Sequence, residues 1–94
     1  MEDDAFEWDD TKAAENHAKH GVDFETARLV FRDPLAIERH DDRENYGEDR
    51  LVMIGMAERT ILTVVYAERN DRIRLISARR ATRQEQDEYF TENA

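Results

Sequence analysis

The sequence predicts an α+β domain with two N-terminal helices, a four-stranded antiparallel sheet and a C-terminal helix. Three observations carry this expectation. Residues 51–56 and 61–67 are almost wholly apolar, as strands covered on both faces are. Helix-capping residues stand ahead of helix-compatible stretches at Asp9 or Asp10, at Asp23, and at Thr82 with Glu85 three residues on. The strand-like runs are joined by short connections, which suit hairpins rather than crossovers. An antiparallel meander with the helices on one face is therefore expected. The 94 residues contain no internal repeat, low-complexity tract or linker, so residues 1–94 read as one domain.

The elements come in order along the chain. Phe6 and Trp8 alternate with acids, the pattern of a short extended lead-in. A first helix is expected over residues 11–19, stopped by Gly21 in a left-handed conformation. The second starts at Asp23, carries Phe24, Ala27, Val30 and Phe31 on one face, and ends at Asp33-Pro34. Residues 35–39 read as a short edge strand, and residues 40–49, polar and containing Gly47, as the longest loop. The two apolar strands meet near Ala57-Glu58-Arg59. Arg69-Asn70-Asp71 is a tight hairpin signal that leads into a last strand over residues 73–78. Thr82 and Glu85 then open a helix that runs to about Glu92.

Composition excludes several function classes. There is no cysteine, hence no disulfide framework, thiolate metal site or cysteine nucleophile. The longest apolar run, residues 60–67, is strand-sized and too short to span a bilayer. Met-Glu-Asp-Asp is acidic where a signal peptide is basic, so a cytoplasmic location is expected. The net charge of −9 is unevenly placed: residues 1–50 carry all of it, and residues 51–94 balance to zero. Between Arg69 and Arg83, six arginines face one acid, Asp71. The overall sign opposes a nucleic-acid partner. The local arginines, with their planar forks of donors, suit phosphate.

Two clusters can carry chemistry. His17 and His20 lie three apart at the end of the first helix, but no third ligand stands at a diagnostic spacing, so no metal or other cofactor is expected. They either complement the helix dipole or, as Lys19 with His20, form an acid–base or phosphate pair. The second cluster runs from Arg72 to Arg83. Regular strand alternation puts Arg72 and Arg74 on one face with Ile76 and Ala78, and Ser77 and Arg79 on the other with Ile73 and Leu75. Arg79 and Arg80 fall at the strand–helix corner, where adjacent arginines can converge on one phosphate and be separable from the fold. Alternatively these arginines pair with the surplus acids of the N-terminal half. Glu48 is either a general base or an arginine's partner.

Phe6-Glu7-Trp8-Asp9, Lys19-His20-Gly21-Val22, Asp33-Pro34-Leu35, Gly47-Glu48-Asp49-Arg50 and Ile73-Arg74-Leu75-Ile76-Ser77-Ala78-Arg79-Arg80-Ala81 stand in one order along the chain. In these motifs, from about Phe6 to Tyr89, the sequence resembles the BrnT toxins of type II toxin–antitoxin modules. The resemblance implies a RelE-like fold and a metal-independent ribonuclease that inhibits translation and growth. It also implies a BrnA-like DNA-binding antitoxin in a hetero-oligomer, with no direct DNA binding by this chain and no membrane partner. Lys19, His20, Arg79 and Arg80 match motif positions as candidate catalytic residues, with Arg50, Arg72, Arg74 and Arg83 as candidate RNA contacts. The departure is the acidity of the chain. The alternative function is a binding protein of the same fold that lacks nuclease activity and docks to a protein partner.

Overall fold

A computed structural model, describing residues 1–41 and 47–94, builds the chain around a five-stranded sheet. Strands β1 (Phe6–Glu7), β2 (Ile37–His40), β3 (Leu51–Ala57), β4 (Thr60–Arg69) and β5 (Arg72–Arg80) lie in the order β1-β5-β4-β3-β2. Helices α1 (Asp10–His20), α2 (Phe24–Ala27) and α3 (Arg83–Glu92) pack on it, with a 3-10 segment, Arg28–Arg32, directly after α2. The loop expected over residues 40–49 lies partly outside the described residues, and His40 itself closes β2.

The local signals act as their chemistry dictates. Asp9 caps α1 by accepting the Lys12 N–H at 2.9 Å, and Gly21 stops it at φ 71°. Asp23 caps α2 through the Thr26 N–H at 2.7 Å. Asn70 and Asp71 both take left-handed backbone, φ 53° and 64°, as the two-residue turn between β4 and β5 requires. Thr82 and Glu85 form the reciprocal capping box of α3.

Three expectations are corrected. The sheet is mixed and five-stranded rather than four-stranded and antiparallel, because Phe6 and Glu7 pair in parallel with Ile73 and Arg74. The lead-in must run along the sheet because its apolar side chains are needed inside: Trp8 is 7% exposed and meets Phe24 edge-on. Secondly, the helices cover both faces. Phe24, Ala27 and Val30 pack with Leu62, Val64, Tyr66, Leu75 and Ala78, while Tyr89 and Ala81 pack with Val52, Ile54, Ile61 and Val65 on the opposite side. Strands apolar on both faces need two covers, and helices on one face alone would leave that second set in water. Thirdly, the second helix is one α turn that tightens into 3-10 winding. This brings Val30 down onto Gly55, where an added Cβ would stand 3.2 Å from the Val30 Cβ and 3.0 Å from the Ala36 Cβ.

Beyond β1, the outer edge of β5 is completed by a side chain. Asn16 on α1 is buried; its Nδ2 donates to the Ala78 carbonyl at 2.8 Å, and its Oδ1 accepts the Ala78 N–H at 3.1 Å. The same Nδ2 donates to the Val22 carbonyl at 3.0 Å. One carboxamide thus replaces a missing strand at Ala78 and locks the α1–α2 turn against β5. Asn16→Ala is expected to destabilise the fold by about 2–4 kcal/mol, because three buried backbone groups lose their partner. Urea unfolding measures this. A loss under about 0.5 kcal/mol, the ordinary surface value, would show that the clasp is dispensable.

Candidate functional site

A bulge in β5 sorts the arginines. Val65 pairs with Ser77 and Tyr66 with Leu75, which leaves Ile76 as the extra residue. Opposed residues share a face, so Arg72, Arg74, Ser77 and Arg79 stand with Arg69, Ala67, Val65 and Thr63 on the face that α3 partly covers. Ile73, Leu75, Ala78 and Arg80 stand on the α1 face with Leu62, Val64 and Tyr66. Regular alternation would put Arg79 with Ile73 and Leu75; the inserted residue reverses the phase. Arg79 and Arg80 therefore leave the strand on opposite faces.

Arg79 is committed to α3. Its Nη1 and Nη2 donate to Glu85 Oε1 and Oε2 at 2.7 and 3.0 Å, a bidentate charge-assisted pair. Oε1 also accepts the Thr82 N–H at 2.8 Å, and Arg39 Nη2 lies 3.8 Å from Oε2. Burial works to raise the Glu85 pKa, but the Arg79 fork and the Thr82 N–H outweigh it and hold the carboxyl down at about 2. Beside this pair opens a cleft of about 390 Å³ lined by Arg39, His40, Asp41, Thr63, Arg79 and Glu85 among others. Sequence reasoning missed Arg39, His40 and Asp41 as members of this neighbourhood. They arrive from β2, three strands across the sheet, and no local spacing announces them.

The remaining arginines of that face have looser partners, drawn from the acidic N-terminal half. Arg72 lies 3.3 Å from Glu2 and donates to the Asp3 carbonyl, Arg74 lies 3.8 Å from Glu7, and Glu48 takes Arg50 at 3.7 Å and Arg69 at 3.4 Å. Glu48 is thus an arginine partner in this arrangement. Arg50, Arg69 and Arg74 share a cavity of about 140 Å³ with Lys12, Asp9 and Glu48. Arg83, 93% exposed, stands apart from the strip at the start of α3.

On the α1 face, Arg80 lines a cleft of about 200 Å³ with Gly21, Val22, Asp23, Thr26 and Glu58. Lys19 and His20 occupy the last turn of α1, directly before Gly21. The Asn16 clasp at Ala78 holds the end of α1 to the end of β5: His20 is one turn beyond Asn16, and Arg80 is two residues beyond Ala78. Among the described residues, the side chains of Lys19, His20 and Arg80 make no hydrogen bond or ion pair, although Asp23 and Glu58 line the cleft with Arg80. Asp23 is occupied at its helix cap, and the Thr26 N–H holds its carboxyl below the usual range against a modest burial effect. No three potential ligands gather around His17 and His20 among the described residues.

The Glu85 pair has a pH signature. The folded-state carboxyl is depressed from its ordinary 4.5 to about 2, so its stabilisation is complete above about pH 5 and disappears as pH falls through that window. Glu85→Gln is expected to cost roughly 2 kcal/mol at pH 7, because Arg79, 37% exposed, can turn partly to water. Denaturant titrations should show the difference from the unaltered protein shrinking between pH 4.5 and 2. A difference that stays constant across that range would mean that the charge pair is not its source.

The chain matches, over residues 8–85, the family model for BrnT, the ribonuclease toxin of type II toxin–antitoxin systems. Comparison with curated proteins gives no match. The matched stretch takes in α1, β2 to β5 and the Arg79–Glu85 pair. Covering most of the sheet and every arginine of the strip, the match assigns the chain to the BrnT family of ribonuclease toxins of type II toxin–antitoxin systems.

Proposed function

We propose that this toxin is an endoribonuclease of RelE-like fold that needs no metal ion, acts in the cytoplasm to inhibit translation and growth, and is neutralised by a BrnA-like DNA-binding antitoxin. The observation that carries this reading is the set of arginines on one sheet face, Arg69, Arg72 and Arg74, whose ion pairs are long and partly exposed, with Arg50 in the same cavity as Arg69 and Arg74. Such pairs are worth about 0–1 kcal/mol each, so RNA phosphates can displace the carboxylates at little cost. The acids of the N-terminal half then act as placeholders for phosphate. This reconciles a net charge of −9 with an RNA substrate.

Cleavage has three requirements: a base to take the 2′-hydroxyl proton, a cation for the phosphorane formed as that oxygen attacks phosphorus, and an acid for the leaving 5′ oxygen. Arg80, without a carboxylate of its own among the described residues, suits the anion. His20 and Lys19, in the last turn of α1 directly before the cleft residue Gly21, share the two proton transfers. Fixed guanidinium charge supplies the electrostatic stabilisation that a metal supplies elsewhere. Arg79 acts through Glu85, anchoring the start of α3, rather than on the phosphate. RNA held at both the strip and the cleft wraps around the end of β5. The antitoxin neutralises by covering Arg72, Arg74, Arg79 and Arg80.

Arg80→Ala is expected to lower RNA cleavage by about 100-fold or more while changing stability by less than about 0.5 kcal/mol. Arg79→Ala should instead lose about 2–4 kcal/mol, because it strands the buried Glu85 carboxylate. Cleavage assays on purified single variants, paired with urea unfolding, separate the two roles. An Arg80→Ala protein that cleaves at the unaltered rate would remove Arg80 from the reaction. Activity should also persist in EDTA, and loss in chelator with recovery on one divalent ion would overturn the metal-free mechanism.

A further inference from the structure

The other end of the sheet has a different chemistry. β2 closes the sheet order, and its outer edge pairs with nothing among the described residues. The Asp41 N–H donates to the Arg50 carbonyl at 2.8 Å, which fixes the phase of the β2–β3 ladder. Arg39 and Ile37 share that phase and turn inward to β3; Glu38 and His40 therefore direct their N–H and C=O groups outward. Beside this edge, between β2 and α3, runs a groove of about 610 Å³. Among the described residues its walls carry the carboxylates of Asp87, Glu88 and Glu92 against one cation, Arg39, which donates to Glu88 at 2.6 Å. The Glu38 carboxylate lies on the opposite face, where it accepts the Tyr66 hydroxyl.

We propose that the free edge of β2 and this groove form a docking surface for a basic, extended segment of a protein partner. Such a segment adds a short strand to β2 through the backbone groups of Glu38 and His40. Its groove-facing side chains are cationic and meet Asp87, Glu88 and Glu92. Charge complementarity selects this occupant. Nucleic acid is repelled by the same carboxylates, and a second copy of the chain would set acid against acid. Apolar surface adjoins the start of this edge: Leu35, 50% exposed, stands two residues before β2. Asn93, at the end of α3, donates to the Leu35 carbonyl at 2.9 Å, which places Leu35 against that end of the helix. Only the existence of a protein partner rests on the family reading, and docking at this edge does not depend on nuclease activity.

The test reads binding alone. A fluorescent peptide of alternating lysine and valine is titrated into the intact toxin, beside a glutamate–valine peptide and a lysine–valine peptide N-methylated along one backbone edge. The plain basic peptide is expected to bind and to slow amide hydrogen exchange at Glu38 and His40. The acidic and N-methylated peptides are expected to bind at least about tenfold more weakly. Asp87→Lys with Glu92→Lys, both on exposed helix positions, should weaken the basic peptide by about tenfold while leaving the circular dichroism spectrum unchanged. If that variant misfolds, the N-methylated comparison on the unaltered protein decides. Equal binding of the three peptides, no binding of the basic one, or protection at β5 instead of β2 would each overturn the proposal. So would sedimentation showing that the edge is closed by a second copy.

Discussion

One side-chain amide holds the molecule's two halves in register. β1 spans only Phe6 and Glu7, so beyond Arg74 the outer edge of β5 has no neighbouring strand among the described residues. Backbone groups buried there without partners cost as much as lost hydrogen bonds. Asn16 provides both bonds at Ala78, as a strand would, and a third to Val22. A carboxamide is the side chain suited to this task, since it presents a donor and an acceptor side by side. The segment from His17 to Asp23 depends on it. The end of α1, the left-handed Gly21 and the Asp23 cap are held against the end of β5, and the cleft that receives Arg80 is formed between them.

The bulge at Ile76 is the second constraint, and it decides the electrostatics. One inserted residue puts Arg79 on the face of Arg72 and Arg74, and sends Arg80 to the other side. Arg79 is thereby available to Glu85, whose buried carboxylate fixes the start of α3. The acidic N-terminal half has a structural explanation in the same terms. Glu2, Glu7 and Glu48 lie against arginines of the strip, so part of the negative charge covers positive charge instead of surrounding it. Distance distinguishes the two kinds of pair. Glu85 is held bidentately at 2.7 and 3.0 Å, while the strip's carboxylates stand at 3.3–3.8 Å.

Much of this was legible in the sequence, and the losses share a cause. Caps at Asp9, Asp23 and Thr82, the Gly21 stop and the Asn70-Asp71 turn act within a few residues, so local chemistry identifies them. The apolar runs of β3 and β4 were readable as strands covered on both faces, which already implied that helices on one face would not suffice. The parallel pairing of β1 with β5 joins residues far apart in sequence, and no turn signal marks it. The bulge was hidden because Arg72–Arg80 reads as a regular alternation, and only the partner strand reveals the extra residue. Lys19, His20 and Arg80 were legible as residues of interest through the family motif. Arg39, His40 and Asp41 were not, because their neighbourhood is assembled from four strands, β2 to β5.

Arg79 and Arg80, adjacent in sequence, are separated by the bulge: Arg79 holds a buried carboxylate, and Arg80 is the residue we propose for an RNA phosphate. Nitrogen-15 spectra of the arginine side chains report each guanidinium separately and test this division most directly. During titration with an all-deoxy analogue of the RNA substrate, which lacks the attacking 2′-hydroxyl, the Nε signals of Arg80, Arg72 and Arg74 should shift with the analogue's concentration. The Arg79 signal should stay where the Glu85 pair holds it. Arg79 and Arg80 moving together along one saturation curve would contradict the division, because it would place both guanidiniums on the same phosphate.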